Sequence, residues 1–121
     1  MPTWNIAHYT RDRVKGDKIP LEFLIRKQTK ETAETFGLMD RGQIKEGYLA
    51  DINIIDHENL CVYKPEMVHD LPTGSRRIIQ KAGGYIATIK SGVVTFKNDQ
   101  ATGELPGTVL RGERTAEAIS A

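Results

Sequence analysis

The hydrophobic period of this chain changes once, at Leu38, and that switch constrains its fold more than any other feature. In residues 19–37, Leu21, Leu24, Ile25 and Gln28 follow the three-four spacing of one helical face. Pro20 suits the first helical position, where a missing N–H is no loss, and Glu22 complements the positive start of a helix. Thr29 is placed to cap a second short helix carrying Ala33 and Phe36, with Glu31 in its first turn. Gly37 suits the stop, with Leu38 packing back. Beyond Leu38 the pattern becomes strand-like. In Ala50 to Asp56, Ile52 and Ile54 fall on one side and Asp51 and Asn53 on the other. Ile78-Ile79, Tyr85 to Lys90 and Val93 to Lys97 follow, with Ser91-Gly92 as a hairpin turn between the last two. Asn98-Asp99, Gly103, Pro106 and Gly107 break up the remainder. Residues 1–18 read as a polar, irregular arm anchored by Trp4, Ile6 and Tyr9, with a turn at Gly16-Asp17.

The predicted class is therefore α+β: short N-terminal helices, then a β-rich region. The boundaries are 1–37, 38–112 and a frayed tail over 113–121. Two short helices with one apolar stripe cannot enclose a core alone, so they need the sheet or another body to lie against.

Composition removes several function classes. Among 121 residues, 17 Lys and Arg face 16 Asp and Glu, which creates no field for gathering nucleic acid or an anionic membrane. Cys61 is the single cysteine, so an internal disulfide is impossible, and a half-buried structural thiol in a reducing cytoplasm is expected. No apolar run approaches the roughly 20 residues that span a bilayer, and the N-terminus lacks the apolar core of a secretory signal. The expected setting is cytoplasmic.

The chemistry-bearing side chains are scattered. His8, His57 and His69 form neither HxH nor HExxH, and isolated capping or surface roles are expected of them. Asp56 and Asp70 are the carboxylates nearest to an acid–base pair, but Asp70 precedes Leu71-Pro72, where it is expected to bond nearby backbone N–H groups. Gly83-Gly84 runs into a strand instead of a helix start, which is a poor phosphate cradle. Ser75 sits in a turn and not in a GxSxG elbow. No catalytic residue and no metal ligand is assigned.

One ordered succession carries more. The run Gly37-Leu-Met-Asp-Arg-Gly-Gln-Ile-Lys-Glu-Gly-Tyr-Leu-Ala-Asp-Ile-Asn-Ile-Ile-Asp56 has glycine turns at Gly42 and Gly47, a short strand anchored by Ile44 between them, and a half-buried strand opened by Ala50-Asp51. It resembles the signature of the amidohydrolase superfamily, G-L-x-D-R-G-x-I-x-x-G-x-x-A-D followed by apolar alternation. Pro65-Glu-Met-Val68, Asp70 to Arg77, Thr102 to Gly112, Ala7 to Arg13 and Ile19 to Glu22 resemble the D-aminoacylase branch, amidohydrolase family 3. The likeness covers residues 2–112.

That resemblance implies a parent with a TIM-like barrel holding zinc, beside a small β-sandwich built from both chain ends. It also implies hydrolysis of N-acyl-D-amino acids. The family's metal ligands and catalytic aspartate belong to segments upstream of the matched region, so zinc is expected in the full-length family and not in this chain. Residues 1–37 would be the end of the barrel and 38–112 a part of the sandwich. Met1 stands where interior sequence would be expected, which suggests a truncated reading frame or gene fragment, inactive alone. By the same resemblance Arg11, with Arg13 as runner-up, is the candidate contact for a substrate carboxylate, a ligand that suits a guanidinium fork. The expected partner is the missing barrel, or a second copy bound through exposed apolar surface as a homo-oligomer. The alternative is a free-standing, non-catalytic binding or oligomerisation module.

Overall fold

The structure is a computed structural model, and it describes residues 2–111. The tail predicted over 113–121 lies outside the described residues.

The arm at the N-terminus departs from expectation by being helical. Pro2–Ile6 form α1 and the chain widens into π-helical turns over Ala7–Asp12. Pro2 occupies the first helical position. Polar residues dominate the stretch, yet they leave a narrow apolar edge on which Ile6 and Ala7 are buried. Helix formation here follows tertiary packing of that edge more than propensity. Gly16 adopts a φ of 84° and the chain turns back, where the Ile19 amide donates to the Tyr9 carbonyl at 2.9 Å.

The next helical stretch is continuous instead of double. It comprises α2 (Leu21–Arg26), a π-helical segment Lys27–Glu31 and α3 (Thr32–Thr35). Pro20 stands just outside, at φ −56° and ψ 135°. Thr29 is no cap, because its neighbours are already helical; its hydroxyl donates to the Ile25 carbonyl at 2.8 Å. The ion pairs Lys27–Glu31 at 2.6 Å and Lys30–Glu34 at 3.7 Å line the exposed side. The stop is as expected. Gly37 takes φ 68°, its amide donates to the Glu34 carbonyl, and the Leu38 amide donates to the Ala33 carbonyl, the bonding of a Schellman cap.

Eight short strands follow: β1 (Ile52–Ile55), β2 (Cys61–Val62), β3 (Glu66–Val68), β4 (Arg77–Ile79), β5 (Ala82–Gly83), β6 (Tyr85–Lys90), β7 (Val93–Lys97) and β8 (Gln100–Ala101). Antiparallel pairing yields one sheet in the order β1-β6-β7-β8 and two ribbons, β2-β5 and β3-β4. Together with the helices this is an α+β arrangement with open sheets. Ser91 and Gly92, at φ 51° and 82°, turn β6 into β7. Asn98 and Asp99, at φ 48° and 62°, do the same between β7 and β8.

Two strand expectations are corrected. The pairing of β1 with β6 slips between Ile54 and Ile55, where Ile86 of β6 is the extra, unpaired residue; Ile54 is 46% exposed while Ile55 packs toward the core. Ile44 anchors no strand: residues 43–46 lie in none and Ile44 is 89% exposed.

The core is small. Ile6, Ala7 and Leu60 form its buried centre, flanked by Leu21, Ile25, Ile55 and Tyr85. It therefore binds both helical stretches to β1, β6 and the turn before β2. Thr3 and Tyr85 hydroxyls add a bond of 2.7 Å across the same contact. No helix among the described residues is long and apolar enough to cross a membrane.

Candidate functional site

The α1 helix and its π-helical extension carry His8 and Arg11, and Arg13 follows at their end. Arg11 points at the turn after β1. Its Nη1 donates to the carbonyls of His57 and of Glu58, the latter at 2.7 Å, and its Nη2 donates to the Leu60 carbonyl at 2.9 Å. The remaining edge, Nε and Nη2, takes the Asp12 carboxylate at 2.6 and 2.9 Å. The bond from Asp12 raises the Arg11 pKa above its ordinary value, and the same bond lowers that of Asp12. Arg13 instead donates to the Lys15 carbonyl at 2.7 Å and lies over the Tyr9 ring.

The histidines do not meet. His8 stacks on Trp4 with ring centroids 4.5 Å apart. His57 bonds through Nε2 to the Thr10 hydroxyl at 2.7 Å, and His69 is exposed at the end of β3. Asp56 accepts from the amide of Asn59 at 3.3 Å and from its side chain at 2.7 Å, and the Asn59 side-chain bond lowers its pKa. Asp70 departs from expectation. Its main partner is Arg77, which grips both carboxylate oxygens at 2.7 and 2.5 Å across the β3-β4 ribbon and lowers its pKa. Asp56 and Asp70 thus each serve a separate local structure. Among the described residues no three His, Cys, Asp or Glu side chains stand close enough to share a cation. Such a donor set does not by itself fit zinc.

Cys61 is half-buried on β2, as expected. The neighbouring thiol raises the pKa of the Tyr63 hydroxyl. The Tyr63 ring lies over Gly83, where a β-carbon would stand 2.6 Å from the hydroxyl oxygen.

The signature segment has a second role that sequence reading passed over. Asp40 is fully buried and takes the Arg41 guanidinium at 2.8 and 3.0 Å. Arg41 reaches on to Asp51 at 3.3 Å, and Asp51 accepts from Lys90 Nζ at 3.0 Å and from the Ser91 amide at 2.9 Å. This chain of charges joins the helix end to the entry of β1 and to the β6-β7 hairpin. Gly42 makes the approach possible, since a β-carbon there would stand 2.9 Å from the Thr29 carbonyl oxygen. The signal was present as the Asp40-Arg41 pair and Asp51, but nothing in their spacing says that they meet. Beside this network lies an open groove of about 500 Å³ whose lining includes Ile6, Ile25, Ile44, Ile52, Ile55 and Tyr85.

Sequence comparison joins these features to known proteins. A family model described as "Amidohydrolase family" matches residues 2–96. The chain is 33% identical over 105 residues to a D-aminoacylase of Alcaligenes xylosoxydans xylosoxydans, an alignment covering 87% of this chain and 19% of that protein. It is 34% identical over 85 residues to a dihydroorotase of Endomicrobium trichonymphae, covering 69% of this chain and 20% of that protein. The chain thus spans about a fifth of the length of these curated relatives. No solved structure matches it significantly. The ordered signature from Gly37 to Asp56, the contacts that its Asp40, Arg41, Gly42 and Asp51 make, and the match over residues 2–96 lead to one assignment: this chain belongs to the amidohydrolase family.

Proposed function

We propose that the chain is the C-terminal portion of a D-aminoacylase-like hydrolase and is catalytically incomplete by itself. The observation that carries this reading is the 33% identity to a D-aminoacylase over 87% of the chain. In the whole enzyme the reaction is hydrolysis of the acyl–nitrogen bond of an N-acyl-D-amino acid. A divalent metal, zinc by family likeness, would supply water activation when bound. Its ligands and the proton-transferring aspartate come from outside these residues. The two helical stretches form the end of the barrel, and the open sheets complete a composite sandwich. The part that this chain plays is structural: the Asp40-Arg41-Asp51-Lys90 network locks helix end to sheet and presents the groove to the remainder of the enzyme.

The purified chain tests this. Neither stoichiometric zinc nor turnover of N-acetyl-D-amino acids is expected, and finding both would refute incompleteness. The reading frame preceding the chain is expected to encode an HxH segment and barrel strands; a frame without them would sink the fragment reading.

A second reading is favoured by the exposure of large apolar side chains, among them Phe36 at 73%, Ile44 at 89% and Phe96 at 45%. In it the chain is a free-standing module that pairs with a second copy through these surfaces.

A further inference from the structure

We infer that Arg11 is a positioning residue that fixes the turn His57–Leu60, and with it the His57 ring, onto the first helical stretch. A guanidinium has five N–H groups, and here each has an acceptor: the carbonyls of His57, Glu58 and Leu60 and the two carboxylate oxygens of Asp12. The acceptors in the turn lie 46 to 49 residues away in sequence. They are backbone carbonyls at the bend between β1 and β2, and that of the fully buried Leu60 would be costly to leave unpaired. The planar, rigid guanidinium can serve three carbonyls and a carboxylate at once, whereas an ammonium group has only three N–H donors and no fixed fork.

The neighbouring residue completes the latch. The Thr10 hydroxyl donates its single proton to the Ile6 carbonyl at 2.7 Å. Its oxygen therefore accepts from His57, and the proton of the ring resides on Nε2. Thr10 and Arg11 thus grip the same turn from adjacent positions, one through the His57 side chain and the other through the His57 carbonyl. A substrate carboxylate seeking Arg11 would have to displace Asp12 from the Nε–Nη2 edge. This inference makes no use of the proposed hydrolase activity and stands or falls apart from it.

Nitrogen-15 NMR of the intact chain tests it. Five resolved guanidinium protons are expected for Arg11, together with a His57 ring protonated at Nε2 whose proton exchanges with water more slowly than those of His8 and His69. In Arg11→Lys the His57 ring proton is expected to exchange at least about tenfold faster, with the β6-β7 amide pattern retained and the melting midpoint lowered by at least about 4 °C. Asp12→Asn, which leaves the three carbonyl bonds, is expected to preserve the slow His57 proton. Thr10→Val with Arg11→Lys is expected to cost less than the sum of the two single changes, because both act on one turn. Averaged guanidinium signals in the unaltered chain would overturn the inference even if Arg11→Lys fails to fold. So would an unchanged His57 in a folded Arg11→Lys.

Discussion

Asp40 is the charged side chain that the described residues close off from solvent, and its partner Arg41 is held between it and Asp51. Truncation would leave a guanidinium in a shielded place without its two bonds to Asp40, and the loss falls on a junction of helix end, β1 and hairpin. Asp40→Ala is expected to cost on the order of 3 kcal/mol, read as a lower urea midpoint, while Asp40→Asn retains part of it. Acid acts at the same scale. Asp12, Asp56, Asp70 and Glu31 are each held below the ordinary carboxylate range, chiefly by bonds from Arg11, Asn59, Arg77 and Lys27 respectively. A carboxyl whose folded value lies under its unfolded one adds stability that is complete above about pH 4 and is lost as pH falls through the folded value. The urea midpoint is therefore expected to hold between pH 7 and 5 as far as these groups are concerned and to drop below about pH 4. Replacing Asp70 with Asn should make that drop shallower. A loss already complete by pH 5 would refute this assignment.

Among the elements, the hairpin and the helix stop were legible and α1 was not, for a shared reason. The Ser91-Gly92 turn and the Gly37 stop depend on backbone angles that a few adjacent residues dictate, so local chemistry is enough to find them. The helix Pro2–Ile6 depends on Ile6 meeting Leu60, more than 50 residues on, and no window of sequence contains that contact. The bulge opposite β1 was hidden likewise, since register is decided by the partner strand. For the site, residue identities were readable while their meetings were not: Arg11 was singled out, but its grip on the turn 57–60 was invisible. Ser91 permits a test of the local kind. It holds a left-handed φ of 51°, a region in which Asn is more at ease. Ser91→Asn is expected to raise stability by roughly 0.5 kcal/mol, checked by thermal melting, with the hydrogen bond from its amide to Asp51 unaffected.

On the scale of the whole molecule, a small buried centre sits beneath broad apolar exposure, and the self-pairing reading proposed above makes that surface an interface. Sedimentation velocity across a concentration series is expected to show mass rising with concentration, and Ile44→Glu on the groove should weaken that rise. A clean monomer at high concentration would count against the self-pairing module. The free flank of β1 has another consequence. Among the described residues this strand is hydrogen-bonded along one side only, and its four residues, Ile-Asn-Ile-Ile, carry neither charge nor proline, a composition suited to cross-β stacking. Asp51 and Asp56 bracket it and act as gatekeepers. Because the bonds of Asp56 hold its pKa below the ordinary value, fibril seeding, followed by thioflavin fluorescence, should begin only once acidification removes that charge.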